Sequence, residues 1–210
     1  AIGGGNPNIV SAVELWGGSS WTAVTALNTT RRGTEQSAGV ATSALCMGGD
    51  TDPGFSALTE SWNGSSWTEV GDLNTGRTRG AGSGVSNTAS LCIGGSTPSL
   101  TAATEKFNGT SWTEVGDLNT AKQRMGASYT SYTNTLVFGG TPDIQALTEE
   151  WNGVSWTEVA DLNTARKELG GAGDTSTSAL AFGGESPGGI TAATEEWSNQ
   201  SFTTRTVSTD

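Results

Sequence analysis

The chain has 210 residues, of which 33% are hydrophobic, 31 are glycine and only 15% are charged, so its core must combine small residues with a few large aromatic side chains. The net charge of −11 argues against a nucleic-acid-binding protein, because neutralising phosphates needs a basic surface. No apolar run approaches the roughly 18 residues of a transmembrane helix, so we expect no membrane insertion.

Five repeats dominate the pattern along the chain. An apolar residue followed by Gly-Gly recurs at intervals of 45, 46, 45 and 44 residues, and two aromatic residues, always five apart, follow each glycine pair. All eight tryptophans occupy these aromatic positions, and phenylalanine fills the other two. The glycine pairs stand at residues 3–4, 48–49, 94–95, 139–140 and 183–184. This spacing predicts five copies of one structural unit in a single domain over residues 1–210.

Each repeat is expected to form four short strands, a to d in chain order. Strand a is rich in small residues, as in Gly80–Gly84, and strand b is apolar and runs into the glycine pair, as in Ser90–Gly94. Strand c has the pattern Thr-Glu-x-aromatic, as in Thr59–Trp62, and strand d follows as Ser66–Val70. An Asn-Gly pair such as Asn63-Gly64 predicts a tight two-residue hairpin turn between strands c and d, in which both turn residues have a positive φ.

Four-stranded units with a period of about 45 residues are typical of β-propellers. We therefore expect an all-β, five-bladed β-propeller of four-stranded antiparallel blades, with the small residues of strand a crowded at the central axis. The two aromatic rings of a blade should share one face, because residues opposed across an antiparallel pair do so. One innermost strand, that of the first blade, is missing from the pattern, trimmed or supplied from elsewhere, which leaves an edge for self-association or a larger assembly.

The order of a glycine pair, Glu-x-aromatic, tryptophan and then a basic residue resembles the kelch repeat over essentially the whole chain. The interval between the two aromatics is shorter than in that family, and five units are fewer than kelch propellers usually have. The resemblance implies a rigid disc with loop faces, which the family uses mostly for protein binding and occasionally in enzymes that act on sugars. The fold alone does not decide between these uses.

Several kinds of catalytic chemistry find no support in the residues. The chain has no histidine, which removes histidine-dependent catalysis and histidine-ligated metals, and we expect no metal or other cofactor. Cys46 and Cys92 hold the same strand-b position in adjacent repeats, so we expect free, buried thiols rather than a disulfide. A glutamate lies two residues before the first aromatic in every repeat, and five equivalent copies indicate a structural role rather than a catalytic pair.

Basic residues cluster in the connection from strand d to the next strand a. Eight of the ten Lys and Arg residues lie there: Arg31, Arg32, Arg77, Arg79, Lys122, Arg124, Arg166 and Lys167. The d–a and b–c loops of a blade should emerge on one face, so these residues would ring one mouth of the channel and bind an anionic ligand. The alternative is that the first basic residue of each loop, Arg31, Arg77, Lys122 or Arg166, bonds the strand-c glutamate or loop carbonyls.

Two other residues are candidate ligand contacts. Each b–c loop contains a proline followed by an apolar residue, such as Phe55 after Pro53, which either contacts a ligand or packs against the next blade. Tyr129 and Tyr132 are the unusual polar residues expected near the axis.

These features favour a non-enzymatic binding module for an acidic glycan or a protein segment. The alternatives are a structural repeat domain of a larger surface or viral assembly and, less favoured, a sugar-modifying enzyme. An extracellular or particle-surface location fits these functions, although the sequence does not fix the compartment.

Overall fold

The computed structural model describes residues 1–5, 8–198 and 201–205, with no side-chain description for residues 201, 202 and 205. Every regular element in these ranges is a β-strand. Pro7, Asn199 and the side chain of Phe202, which belong to the predicted repeat pattern, lie outside the described part. The strands group into five units that follow the five repeats.

Unit 1 is a three-stranded antiparallel sheet, and the other four units each contain a four-stranded antiparallel sheet in the order a-b-c-d. Unit 1 contains β1 (Ile2–Gly5), β2 (Ile9–Trp16) and β3 (Trp21–Val24). The sheet of unit 2 contains β4 (Ala38–Val40), β5 (Ser43–Met47), β8 (Thr59–Trp62) and β9 (Trp67–Glu69), and a two-stranded hairpin of β6 (Asp50–Thr51) and β7 (Gly54–Phe55) lies in its b–c loop.

The remaining units repeat this arrangement. Unit 3 contains β10 (Ala81–Ser86), β11 (Ala89–Ile93), β12 (Thr104–Phe107) and β13 (Trp112–Glu114). Unit 4 contains β14 (Gly126–Ala127), β15 (Thr135–Phe138), β16 (Thr148–Trp151) and β17 (Trp156–Val159). The sheet of unit 5 contains β18 (Gly170–Thr175), β19 (Ser178–Phe182), β22 (Thr194–Ser198) and β23 (Ser201–Arg205), with the hairpin of β20 (Glu185–Ser186) and β21 (Gly189–Ile190) in its b–c loop. The predicted all-β class with four-stranded antiparallel units is confirmed.

The loop between strands c and d differs from the predicted tight turn. In units 2 to 4, which carry the Asn-Gly pairs, it contains four residues, and only its glycine has a positive φ, for example 95° at Gly64. The asparagine instead uses its side chain: Asn63 Oδ1 accepts hydrogen bonds from the backbone N–H groups of Ser65 and Ser66, both at 3.0 Å. This side-chain cap stabilises the longer loop, so the prediction of a two-residue turn with two positive φ angles was wrong.

The aromatic pair of each of units 2 to 4 packs against the preceding unit. Trp62 lies opposite Trp67 in the register of β8 and β9, with ring centroids 5.2 Å apart, which confirms that the two rings share a face. Units 2 and 3 show the packing between units: Leu45 and Met47 of unit 2 lie in one buried cluster with Phe107 and Trp112 of unit 3. Strand b of one unit therefore covers the aromatic hairpin of the next, and this interface forms the core.

The inner strands pack closely enough that only small residues fit. A Cβ added at Gly82 would lie 2.2 Å from the carbonyl oxygen of Gln36 in unit 2. Ser83 donates a hydrogen bond to the carbonyl oxygen of Ser131 in unit 4 at 2.7 Å. Close approach of neighbouring backbones thus explains the glycine, alanine and serine content of strand a.

The described residues form no closed ring. The two aromatic side chains of unit 1, Trp16 and Trp21, are 53% and 55% exposed. At the other end, Leu180 and Phe182 of unit 5 are 40% and 43% exposed, although their counterparts in units 2 to 4 are completely buried. The series of units therefore has an uncovered face at each end.

Candidate binding face

The d–a and b–c loops lie side by side on one face, as the repeat pattern predicts. An antiparallel bridge joins the two loops in each of units 2 to 5, for example between Arg32 and Asp50 and between Lys167 and Glu185. The other two bridges join neutral polar residues, Thr78 with Ser96 and Gln123 with Thr141. Whether a predicted basic residue can contact a ligand therefore depends on where its side chain points on this face.

The first basic residue of each d–a loop is buried and paired with a strand-c glutamate. Arg31 Nη2 lies 2.7 Å from Glu60 Oε1, with both side chains almost completely buried. Arg31 Nη1 donates to the carbonyl oxygens of Gly48 and Leu58, both at 2.9 Å. The equivalent pairs are Arg77–Glu105, Lys122–Glu149 and Arg166–Glu195. Each pair ties a connection to the unit that it enters, which is the structural alternative described above.

The glutamate carboxylate also caps the connection. Glu60 Oε2 accepts the backbone N–H of Asn28 at 2.7 Å, and Asn74, Asn119 and Asn163 make the same bond to the carboxylate of the unit that their connection enters. A buried carboxylate with a cation and a backbone donor has its hydrogen-bonding capacity largely satisfied. Burial lowers the pKa of Lys122, and Glu149 partly opposes that shift. These groups hold the loops in place and are not available on the surface.

Of the second group of basic residues, three are paired with acids at the surface. Arg32 Nε lies 3.1 Å from Asp50 Oδ2, and Lys167 Nζ lies 3.2 Å from Glu185 Oε2. Arg124 pairs with Glu168, and both side chains are partly exposed. Within the part of the chain that the structure describes, no carboxylate oxygen lies within 4 Å of the Arg79 guanidinium. Arg79 is therefore the cation of this group that remains open to an external anion.

Arg79 and Arg124 belong to a row of equivalent residues that crosses four successive connections. The N–H of Arg79 donates to the carbonyl oxygen of Gly33 at 3.4 Å, that of Arg124 to Arg79 at 2.8 Å, and that of Glu168 to Arg124 at 2.8 Å. All four residues have φ between 53° and 66°. We call Gly33, Arg79, Arg124 and Glu168 the mouth row. Non-glycine residues held at positive φ are uncommon and cluster at functional sites.

The mouth row was not recognised as a unit from the sequence. Gly33 and Glu168 were not among the predicted ligand contacts, because that prediction rested on the basic residues of the d–a connections. A positional signal was present: each of the four residues lies 12 positions after the second aromatic of the preceding unit. Counting from that aromatic would have aligned a glycine, two arginines and a glutamate at one structural position.

The two non-basic candidates lie in different surroundings. Phe55 is 40% exposed on the hairpin of unit 2, so it is accessible beside the loops. Tyr129 lines a cavity of about 290 Å³ together with Ala1, Ala38, Val40 and Trp62. Burial raises the pKa of Tyr129, with a further contribution from Glu35. The cavity brings residues of units 1 and 2 together with Tyr129 of unit 4.

Both cysteines are free and buried in strand b, as predicted. Burial raises the pKa of the Cys46 thiol to about 11 and that of Cys92 to about 12. Thiols with such high pKa values are poor nucleophiles near neutral pH.

The comparisons with known proteins give no relative. No protein-family model matches the chain, and no curated protein is detectably similar to it in sequence. No helix among the described residues is long and apolar enough to cross a membrane.

Proposed function

We propose that the protein is a non-enzymatic recognition module whose mouth row binds a carboxylate group of an acidic ligand. In this proposal the five units are the blades of a kelch-like propeller, arranged as an arc around one axis and open between the first and fifth. The ligand is a protein segment or a glycan that carries carboxylates.

The arrangement around one axis has two supports. The mouth row connects equivalent positions of four consecutive connections through backbone hydrogen bonds. A cavity is lined by residues of units 1 and 2 together with Tyr129 of unit 4, although unit 3 lies between units 2 and 4 in the chain. Both features are expected when equivalent residues of successive blades converge on a common channel.

The observation that carries the function is the guanidinium of Arg79, which pairs with no carboxylate of the described residues and sits on a backbone hydrogen-bonded to both neighbouring connections. Among the described residues, the acidic partner of the adjacent Arg124 is the partly exposed carboxylate of Glu168. A ligand carboxylate that contacts Arg79 can also compete with Glu168 for Arg124. Arginine guanidinium groups bind carboxylates through two parallel hydrogen bonds, and little conformational entropy is lost when the backbone is already fixed.

The buried ion pairs support recognition rather than catalysis. They use the strand-c carboxylates of units 2 to 5 to fix the loops, so these groups are not exposed as a general acid or base. A rigid scaffold with different side chains at equivalent loop positions is a common design for binding surfaces.

The test is an array of acidic peptides and acidic glycans probed at low salt with the wild type, Arg79→Gly and Lys106→Gln. Arg79→Gly removes the charge and keeps the backbone conformation, because Gly33 already occupies the equivalent position. Lys106 lies 5.1 Å from the Tyr132 ring, near the a–b turn of unit 4 at the far end of the blades, so its loss is the matched charge control.

We expect a ligand that binds the wild type and Lys106→Gln equally and binds Arg79→Gly about tenfold more weakly or worse, as for loss of a charged contact. Binding should also weaken as salt rises. The peptide and glycan arms identify which source carries the carboxylate. An array without any ligand, or binding that Arg79→Gly leaves unchanged, would contradict the proposal.

A further inference from the structure

The two uncovered faces at the ends of the series carry the same kinds of residue that meet at the interfaces between units 2, 3 and 4. Strand b of a unit presents a Leu and a large apolar residue to the next unit: Leu45 and Met47 in unit 2, and Leu180 and Phe182 in unit 5. The receiving unit presents its aromatic hairpin, which in unit 1 is Trp16 with Trp21. Unit 5 therefore exposes the strand-b side of this interface, which we call the donor face, and unit 1 exposes the aromatic-hairpin side, which we call the acceptor face.

The exposure of these residues shows that no other described part of the chain covers either surface. Trp62 and Trp67, the counterparts of Trp16 and Trp21, are only 3% and 7% exposed. Tryptophan and phenylalanine are the side chains that contribute most when they are buried at an interface. Two exposed aromatic and aliphatic faces of complementary type mark association surfaces.

We propose that a second copy of the chain docks head to tail, with Leu180 and Phe182 of one copy packed on Trp16 and Trp21 of the next. The occupant is argued from continuity: this contact would continue an interface that the chain already forms between its own successive units. A heterologous contact of this kind leaves one donor and one acceptor face free on a dimer, so it extends into chains or closed rings of copies.

The contact in trans lacks one part of the internal interface. Units 2 to 5 receive a buried cation from the entering connection, whereas the side chain of Glu14 in unit 1 is exposed. We therefore expect reversible, concentration-dependent association and not a permanent complex.

The test is sedimentation of the wild type, Trp16→Glu, Phe182→Glu and a 1:1 mixture of the two variants over a range of concentrations. The wild type should associate as concentration rises, and each variant alone should dissociate about tenfold more readily or worse, as expected for loss of an aromatic anchor. The mixture should form dimers and nothing larger, because only one intact donor face and one intact acceptor face remain. Val154→Glu changes a loop residue that is 78% exposed, and it should associate like the wild type.

A second measurement separates docking between copies from closure within one chain. A bis-maleimide reagent that spans about 10 Å, the distance between packed sheets, is applied to a Ser20→Cys plus Ser178→Cys double variant, which changes exposed residues beside the two faces and keeps the aromatic anchors. Crosslinked dimers and larger species support docking in trans. Three results would overturn docking between copies. They are a crosslink confined to the monomer, a wild type that stays monomeric at every concentration, and a mixture of the two glutamate variants that does not dimerise. Because the mouth row takes no part, Arg79→Gly should associate normally even if no acidic ligand is found.

Discussion

Glu105 and Glu14 hold the same position in two repeats but lie in opposite surroundings. The carboxylate of Glu105 is buried against Arg77 and accepts the N–H of Asn74, whereas the side chain of Glu14 is exposed on unit 1. Removing one partner of a buried ion pair leaves an uncompensated charge in a low dielectric. The same substitution therefore tests the same chemistry with and without burial.

We expect Glu105→Gln to lower the free energy of unfolding by about 3–5 kcal/mol, because Arg77 would stay buried without its counter-charge. Glu14→Gln should change it little, as surface substitutions usually do. Urea denaturation of the two variants beside the wild type measures both. Equal effects at the two positions would show that the buried pair does not stabilise the connection.

The buried thiols predict a loss of stability in alkaline solution. Burial raises the pKa values of Cys46 and Cys92 from 9.0 to about 11 and about 12. Above pH 9 the unfolded chain loses these protons while the folded chain keeps them, so stability is complete below about pH 9 and falls as the pH rises toward 11. Each thiol contributes up to about 1.4 kcal/mol per pH unit in that window.

The Cys46→Ala plus Cys92→Ala double variant isolates this effect. It retains Lys122, whose lowered pKa makes stability rise with pH as the pH approaches 10.5 and so works in the opposite direction. Between pH 8 and pH 10 the wild type should lose about 2–3 kcal/mol more than the variant. Identical pH profiles would mean that the thiols titrate alike in the folded and unfolded states.

The residues of the site differed in how far the sequence could predict them. Arg31, Arg77, Lys122 and Arg166 stand at a fixed distance after an aromatic, and a fixed position beside an equally regular glutamate is what a repeated structural bond requires. The pairing of Arg124 with Glu168 could not be predicted from such a fixed spacing. It joins residues 44 apart in two connections that only the inter-unit backbone hydrogen bonds bring together.

At the level of strands, the inner strands make the packing between units intolerant of added volume. The Cβ of an alanine at position 82 would lie 2.2 Å from the carbonyl oxygen of Gln36, a backbone atom that cannot rotate away. Gly17, in the c–d loop of unit 1, has its nearest such atom at 3.6 Å and no positive φ. The two glycines thus form a matched pair, one in a tight interface and one in an open loop.

Gly82→Ala should lower the free energy of unfolding by about 1–3 kcal/mol or more, as overpacking does, and Gly17→Ala should be close to neutral. Thermal and urea unfolding of the two variants measure the difference. If both are equally harmless, the inner strands are more loosely packed than the structure has them, and the small residues of strand a need another explanation.

The strands were predictable because period-two patterns and turn residues are local signals, and Thr59–Trp62 was predicted with its correct bounds. The loop after Trp62 was not, since the Asn-Gly pair is compatible with a two-residue turn as well as with the observed four-residue loop. The choice depends on whether the asparagine side chain caps the loop, as Asn63 does toward Ser65 and Ser66. That competition between backbone and side-chain bonds is not visible in the residue types alone.

For the whole molecule, the series of units behaves as a nearly one-dimensional array in which each sheet is stabilised mainly by its neighbours. Unit 3 is covered on both faces, by unit 2 and by unit 4. Unit 1 is covered on one face only, has three strands instead of four and exposes Trp16 and Trp21. Its local stability should therefore be lower than that of units 2 to 4.

We expect native-state hydrogen exchange to show this order directly, at a concentration low enough to keep the protein monomeric. Amides of β2 (Ile9–Trp16) should exchange through local opening, while those of β11 (Ala89–Ile93) should approach the global free energy of unfolding. Raising the protein concentration should slow exchange in β2 if a second copy covers Trp16, because binding stabilises only the covered state. Uniform protection of both strands at every concentration would instead indicate a ring closed within one chain, in which all units have two neighbours.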